Sequence, residues 1–103
     1  MPHEAHLLAC AESLSVLADE TRLRILFALN AGPASRKRIA FLVGVEPTSI
    51  TYHLRILLRA GLIADAGGDR AGEYTLCGRA VTLEDGGPGF EIELPRCRVT
   101  LYR

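Results

Sequence analysis

The 103-residue chain has no net charge at pH 7, its twelve basic side chains balancing twelve acidic ones. Taken alone, that absence counts against a nucleic-acid partner, because an electrostatic footprint on phosphate needs a local excess of cations. No apolar run approaches membrane-spanning length. Runs such as Ile39-Ala40-Phe41-Leu42-Val43, broken by Gly44, reach only five residues. The N-terminus carries His3, Glu4 and His6 in place of a basic signal-peptide start, so a cytoplasmic protein is expected. Cysteine is scarce: Cys10, Cys77 and Cys97, an odd number at wide spacing, fit neither a disulfide framework nor a Cys-x-x-Cys metal knuckle. Low-complexity runs, a nucleotide-binding glycine loop and motif-placed paired carboxylates are also missing, and nothing supports an enzyme. What is present, 49% hydrophobic residues in one short chain, points to a folded single domain over 1–103 with one modest core.

The zero net charge hides a distribution. Residues 20–72 hold eight basic side chains against Glu20, Glu46, Asp65 and Asp69, whereas residues 1–19 hold only acidic ones and residues 73–103 are nearly balanced. The excess surrounds one stretch, Pro47 to Gly61. Proline suits the first helical position and glycine the left-handed position just past a helix end. At about 100° per residue, Ile50, Leu54, Leu57 and Leu58 fall on one stripe, the expected buried side. Thr48, Thr51, Tyr52, Arg55 and Arg59 lie opposite, a composition suited to a helix in the major groove of DNA. An amphipathic helix with a merely solvated polar face has the same periodicity, so its neighbours decide between the two.

Upstream, residues 4–18 read as a first helix with Leu7, Ala11, Leu14 and Ala18 at helical spacing, an apolar stripe larger than so small a core needs. Asp19 can cap a second helix from Glu20 to Asn30, with Leu23, Leu26, Phe27 and Asn30 on one side, and Ala31-Gly32-Pro33 stops it. Ser35 can cap a short third helix, Arg36 to Val43. Its first turn exposes Arg36, Lys37 and Arg38, cations that oppose the helix dipole unless an anion such as phosphate relieves them; a solvated basic loop end is the plainer alternative. Gly44-Val45-Glu46 then has the length and glycine content of a helix-turn-helix corner. After Gly61, Leu62–Ala66 and Glu73–Leu76 form two short strands around the glycine-rich tip 67–72, a β-hairpin in the position of a wing. Arg70 at its tip is placed to meet a phosphate or minor groove.

These ordered signatures resemble the winged helix-turn-helix core of the ArsR/SmtB repressor family. The resemblance is carried by Leu17-Ala18-Asp19-Glu20-Thr21-Arg22-Leu23-Arg24-Ile25-Leu26, Thr48-Ser49-Ile50-Thr51-Tyr52-His53-Leu54-Arg55-Ile56-Leu57 and Ala60-Gly61-Leu62-Ile63 with the hairpin, over about 14–76. It implies a mainly α fold with a β-wing and a homodimeric bacterial repressor that leaves its operator on sensing a metal ion or other stress signal. By position it assigns Thr48, Ser49, Thr51, Tyr52, His53 and Arg55 to the DNA-reading segment.

Two departures stand out. Arsenic- and cadmium-sensing members usually carry a cysteine pair where this chain has Ser35-Arg36-Lys37-Arg38. The C-terminal helix of the family, which packs with the first helix in the dimer, is replaced by a β-rich tail over 77–103. Strands are expected at 79–84, 90–94 and 97–102 around Asp85-Gly86-Gly87-Pro88-Gly89. A Pro95-Arg96 turn would set Leu94 opposite Cys97, Ile92 opposite Val99, Phe90 opposite Leu101 and Glu93 opposite Arg98.

His3, His6 and Cys10 share one side of the first helix and are potential zinc ligands, yet three ligands on one helix do not easily close a tetrahedron. Cys10 more simply packs as a small apolar side chain. Cys77 and Cys97, with or without Cys10, are candidates for a thiol sensor. His53 either contacts DNA or packs at the core's edge. The sequence thus predicts a DNA-binding homodimer on double-stranded DNA, with no metal site and no cofactor. Its reading groups are Thr48, Thr51, Tyr52 and Arg55, with Ser49 and His53 in the same DNA-binding segment, and its backbone-binding cations Arg36, Lys37, Arg38, Arg59 and Arg70. The rival is a winged-helix module that binds a partner protein through the same surface or the tail.

Overall fold

The computed structural model describes residues 2–77, 80–82, 89–93 and 98–102, with side chains described over 7–77, 89–93 and 98–102. Four helices come first: α1 (Pro2–Leu17), α2 (Glu20–Asn30), α3 (Arg36–Val43) and α4 (Pro47–Arg59). Their caps follow the expected chemistry. The Asp19 carboxylate accepts the backbone N–H of Arg22 at 3.1 Å, and the Ser35 hydroxyl accepts that of Arg38 at 3.1 Å, each satisfying an orphan donor of a first turn. At the corner between α3 and α4, Gly44 has φ +84°, and Gly44 and Val45 both donate to the Ala40 carbonyl at 2.9 and 3.0 Å. Gly61 closes α4 at φ +75°, with Leu62 donating to Leu57 and Gly61 to Leu58, a Schellman end that turns the chain into the wing.

The wing is an antiparallel pair, β2 (Ile63–Asp65) and β3 (Glu73–Leu76), with Ile63 opposite Leu76 and Asp65 opposite Tyr74. Its tip is braced by Asp65, whose carboxylate accepts the backbone N–H groups of Gly67 at 2.8 Å and Gly72 at 3.0 Å. A strand absent from the sequence reading, β1 (Ala34–Ser35), pairs with the other side of β3 and ties the start of α3 to the wing.

The tail forms a second three-stranded sheet of β4 (Ala80–Thr82), β5 (Gly89–Glu93) and β6 (Arg98–Tyr102), with β5 central. Phe90 lies opposite Leu101, Ile92 opposite Val99 and Glu93 opposite Arg98, the expected register. The charge contact runs diagonally, however: Arg98 Nη1 lies 4.0 Å from Glu91 Oε1. The Leu94–Cys97 pair and the Pro95-Arg96 turn fall outside the described residues, as do Arg79, 83–88 and Cys97. Phe90 and Ile92 are fully buried. Phe90 meets Phe27 of α2 edge-on with ring centroids 4.9 Å apart, and Asn30 donates to the Gly89 carbonyl at 3.1 Å. The tail therefore belongs to the same core as the helices, joined to Ile25, Leu26, Ile39, Ile50, Leu54, Leu57 and Ile63.

Three packing expectations need correction. Leu58 is 40% exposed, because it sits about 80° round the helix from Ile50, at the shoulder of the buried stripe. In α1 the expected stripe points the other way: Leu7, Ala11, Leu14 and Ala18 are exposed, while Cys10 and Leu17 are buried. Apolar residues spread around most of this helix, so spacing selects no single inner face. In α2 the buried residues are Ile25, Leu26 and Leu29, with Leu23, Phe27 and Asn30 only partly covered.

Candidate nucleic-acid interface

Helix α4 buries Ile50, Leu54 and Leu57 and turns Thr48, Ser49, Tyr52, Arg55 and Arg59 outward. Tyr52 is 62% exposed, a large aromatic held at the surface with no core role. The helix begins without a side-chain cap: Glu46 occupies the cap position, its carbonyl accepting from Ser49 and Ile50 at 3.0 and 3.1 Å, and Pro47 needs no partner there. Its first turn therefore presents the short hydroxyl side chains of Thr48 and Ser49. Arg59 in the last turn is favourable to the dipole.

Not every candidate side chain is free to reach a ligand. Thr51 is half-buried; its hydroxyl donates to the Pro47 carbonyl at 3.2 Å and accepts from Arg36 Nη1 at 2.9 Å. Arg36 Nη1 also lies 3.4 Å from the Pro47 carbonyl. Arg36 is thus a brace between the start of α3 and α4 as well as a surface cation. Arg38 stands 5.5 Å over the ring of Phe41, leaving Lys37 as the exposed cation of that turn with no hydrogen bond or ion pair among the described residues. Arg70 sits in a 3₁₀ turn, Gly68–Arg70, and pairs with Glu73 at 3.1 Å. A shallow groove of about 210 Å³ joins Arg36, Thr51, Arg55, Leu58 and Tyr74. It makes α3, α4 and the wing strand one continuous surface.

His53 lies apart from that face. Its side chain is 18% exposed, its ring packs edge-on against Tyr52 at 5.2 Å, and its Nδ1 faces Arg22 Nη1 at 3.3 Å and Asp19 Oδ1 at 3.9 Å. A guanidinium only donates, so Nδ1 accepts and the neutral ring carries its proton on Nε2. The Asp19 carboxyl is held below the ordinary carboxylate range. The main cause is the bond from the Arg22 backbone; burial opposes it, and the charge of Arg22 adds to it. The sequence marked Arg22 only as one of the basic side chains and as part of the Leu17–Leu26 segment that carries the resemblance, and missed its place here. Nothing local signals it, since its partner on α4 is 31 positions away.

Among the described residues no three His, Cys, Asp or Glu side chains gather as a metal site. Cys10 is buried in the core, Cys77 lies 3.7 Å from the Gly61 carbonyl, and the side chains of His3 and His6, like Cys97, are outside the described set. No helix among the described residues is long and apolar enough to cross a membrane.

Comparison with known proteins places this geometry. Residues 17–65 match a family described as helix-turn-helix domain. The HTH-type transcriptional regulator NmtR of Mycobacterium tuberculosis is 39% identical over 62 residues, which are 60% of this chain and 49% of that protein. The chain therefore spans about half the length of this relative. Among solved structures, reduced HlyU from Vibrio cholerae superposes with a TM-score of 0.64 at 25% identity, covering 76% of this chain and 83% of that one. The homodimeric winged helix-turn-helix DNA-binding domain of a possible ArsR-family transcriptional regulator from Mycobacterium bovis also gives 0.64, at 27% identity, covering 82% of this chain and 73% of that one.

Proposed function

The chain is of the ArsR/SmtB winged helix-turn-helix type, and from that premise we propose that it is a cytoplasmic, sequence-specific DNA-binding transcription regulator, a homodimeric repressor that a signal releases from its operator. The observation that carries this reading is the outward face of α4: Thr48, Ser49, Tyr52 and Arg55 stand exposed on a helix whose other face is locked into the core by Ile50, Leu54 and Leu57. In the major groove, Arg55 makes the bidentate contact to a guanine edge, and the hydroxyl groups and Tyr52 supply weaker base and sugar contacts. Lys37, Arg38, Arg59 and Arg70 hold phosphates. Arg36 and Thr51 fix the angle between α3 and α4. His53 stands behind the reading face.

One such helix gives few base contacts, and two related by a two-fold axis, with half-sites about one helical turn apart, give enough for specificity. The surface for that pairing is the outer side of α1, where Leu7, Leu8 and Leu14 are exposed side by side with Ala11. The relative from Mycobacterium bovis is itself a homodimer. A second reading, a protein-interaction module, draws on Phe41 and Leu42, which are exposed on α3.

The test is a fluorescence anisotropy titration of the whole chain against duplexes from its own upstream region and against random sequence, at several salt concentrations. The expected result is a preferred duplex and a steep fall of affinity with salt, about 0.9 units of logarithmic slope for each phosphate contacted. Absence of binding at low salt would favour the protein-interaction reading.

A further inference from the structure

Arg22 differs from the other cations of the helical region in being nearly buried, with 12% of its side chain exposed. Two of its nitrogens are directed to α1 and the third to α4. Nε donates to the Val16 carbonyl at 2.6 Å, Nη2 reaches the Ser15 carbonyl at 3.4 Å, and Nη1 donates to Nδ1 of His53 at 3.3 Å. Asp19, at the corner between α1 and α2, lies 3.9 Å from both Arg22 Nη1 and His53 Nδ1 and balances the charge. Ser15 and Val16 belong to the last turn of α1, where carbonyls lack the regular helical donor four residues on; that of Ser15 also accepts the Ala18 N–H at 3.2 Å. One planar guanidinium thus joins the free end of α1 to the side of α4. A lysine ammonium on a flexible stem cannot reproduce that fork.

The position of His53 gives the joint its consequence. The residue next to it, Tyr52, packs on its ring, and Arg55 is two positions further on the same rigid helix. Wherever the ring is held, the orientation of both exposed groups follows. We infer that Arg22 is a positioning residue that sets the pose of α4 from the end of α1, acting through His53, so that a displacement of α1 is passed to the base-reading face. The inference rests on the proposed assignment of Tyr52 and Arg55 to the groove. Arg22 lies behind that face, so its loss should blunt sequence preference without changing the number of phosphates held.

The experiment uses the whole chain with Arg22→Lys, His53→Leu and the double substitution, each checked for folding by circular dichroism, and the preferred and random duplexes described above. Each single variant should lower the preference for the operator over random DNA roughly tenfold while the salt slope stays at its original value. The double variant should fall no further than the worse single one, because both changes cut one link. Additive losses, or a folded Arg22→Lys protein with full preference, overturn the inference. The unmodified protein gives an independent arm by nuclear magnetic resonance: adding operator should shift the Arg22 Nε–H signal, the His53 ring nitrogens and the amides of Val16 and Leu17 together, and random DNA should shift them less. Signals that operator leaves unmoved overturn the link even where a variant fails to fold. An unmodified protein with no preferred duplex refutes the proposed function itself, a failure visible before any variant is compared.

Discussion

Asp19 caps α2 and also faces the Arg22 and His53 pair, so one carboxylate serves both the start of a helix and the joint behind the proposed reading face. Replacing it with alanine should cost about 1 kcal/mol in urea unfolding, the usual value of a lost N-cap, and with asparagine less, because an amide oxygen can still cap. Its folded carboxyl titrates below the unfolded value near 3.9. The carboxylate's contribution is therefore complete above that value and is lost as pH falls through the lower, folded one. The advantage of the natural protein over Asp19→Asn should be constant from pH 7 down to about 5 and shrink in stronger acid; an advantage that grows in acid would contradict the assignment. At this scale the sequence was legible where partners are close in the chain. The caps at Asp19 and Ser35 are three-residue patterns, whereas the Arg36 bond to Thr51 spans 15 positions and the Arg22 bond to His53 spans 31. No periodicity or spacing rule reports contacts that only the tertiary fold creates.

Elements were legible for a related reason. The bounds of α2 and α3 follow from a cap at one end and a glycine or glycine-proline stop at the other, and α4 from Pro47 and Gly61. The two-residue strand β1 was not, since it exists only by pairing with β3. In α1, where leucines and alanines surround the axis, the direction of the inner face was set by what α1 meets. The tail sheet shows the converse: alternation gave its register, but only the fold shows that Phe90 enters the core against Phe27. Phe90→Ala should therefore cost about 3–5 kcal/mol, as for a large aromatic removed from a packed core. The same denaturant unfolding should show little change for Leu7→Ala, a residue exposed in the single chain, when measured at concentrations below self-association. A small effect at Phe90 would mean that the tail is an appendage.

For the whole molecule, the proposed function uses two surfaces, the outer side of α1 for pairing and the face of α4 with the wing for DNA, with the Arg22 joint between them. Pairing through α1 predicts that Leu14→Glu, which places a charge in the exposed leucine cluster, converts a dimer to a monomer in light scattering at micromolar concentration and weakens operator binding; a dimer unaffected by the change would put the interface elsewhere. The central claim, that α4 reads bases while its neighbours hold backbone, is tested most directly by comparing Arg55→Ala with Lys37→Ala on operator and random duplexes across a salt series. Lys37 is the cleaner cation to remove, because Arg36 also braces Thr51. Arg55→Ala should lose about 1–3 kcal/mol on the operator and little on random DNA. Lys37→Ala should weaken both alike and reduce the salt slope by about 0.9. If Arg55→Ala weakened both duplexes equally and left the preference between them intact, α4 would not be the reading helix.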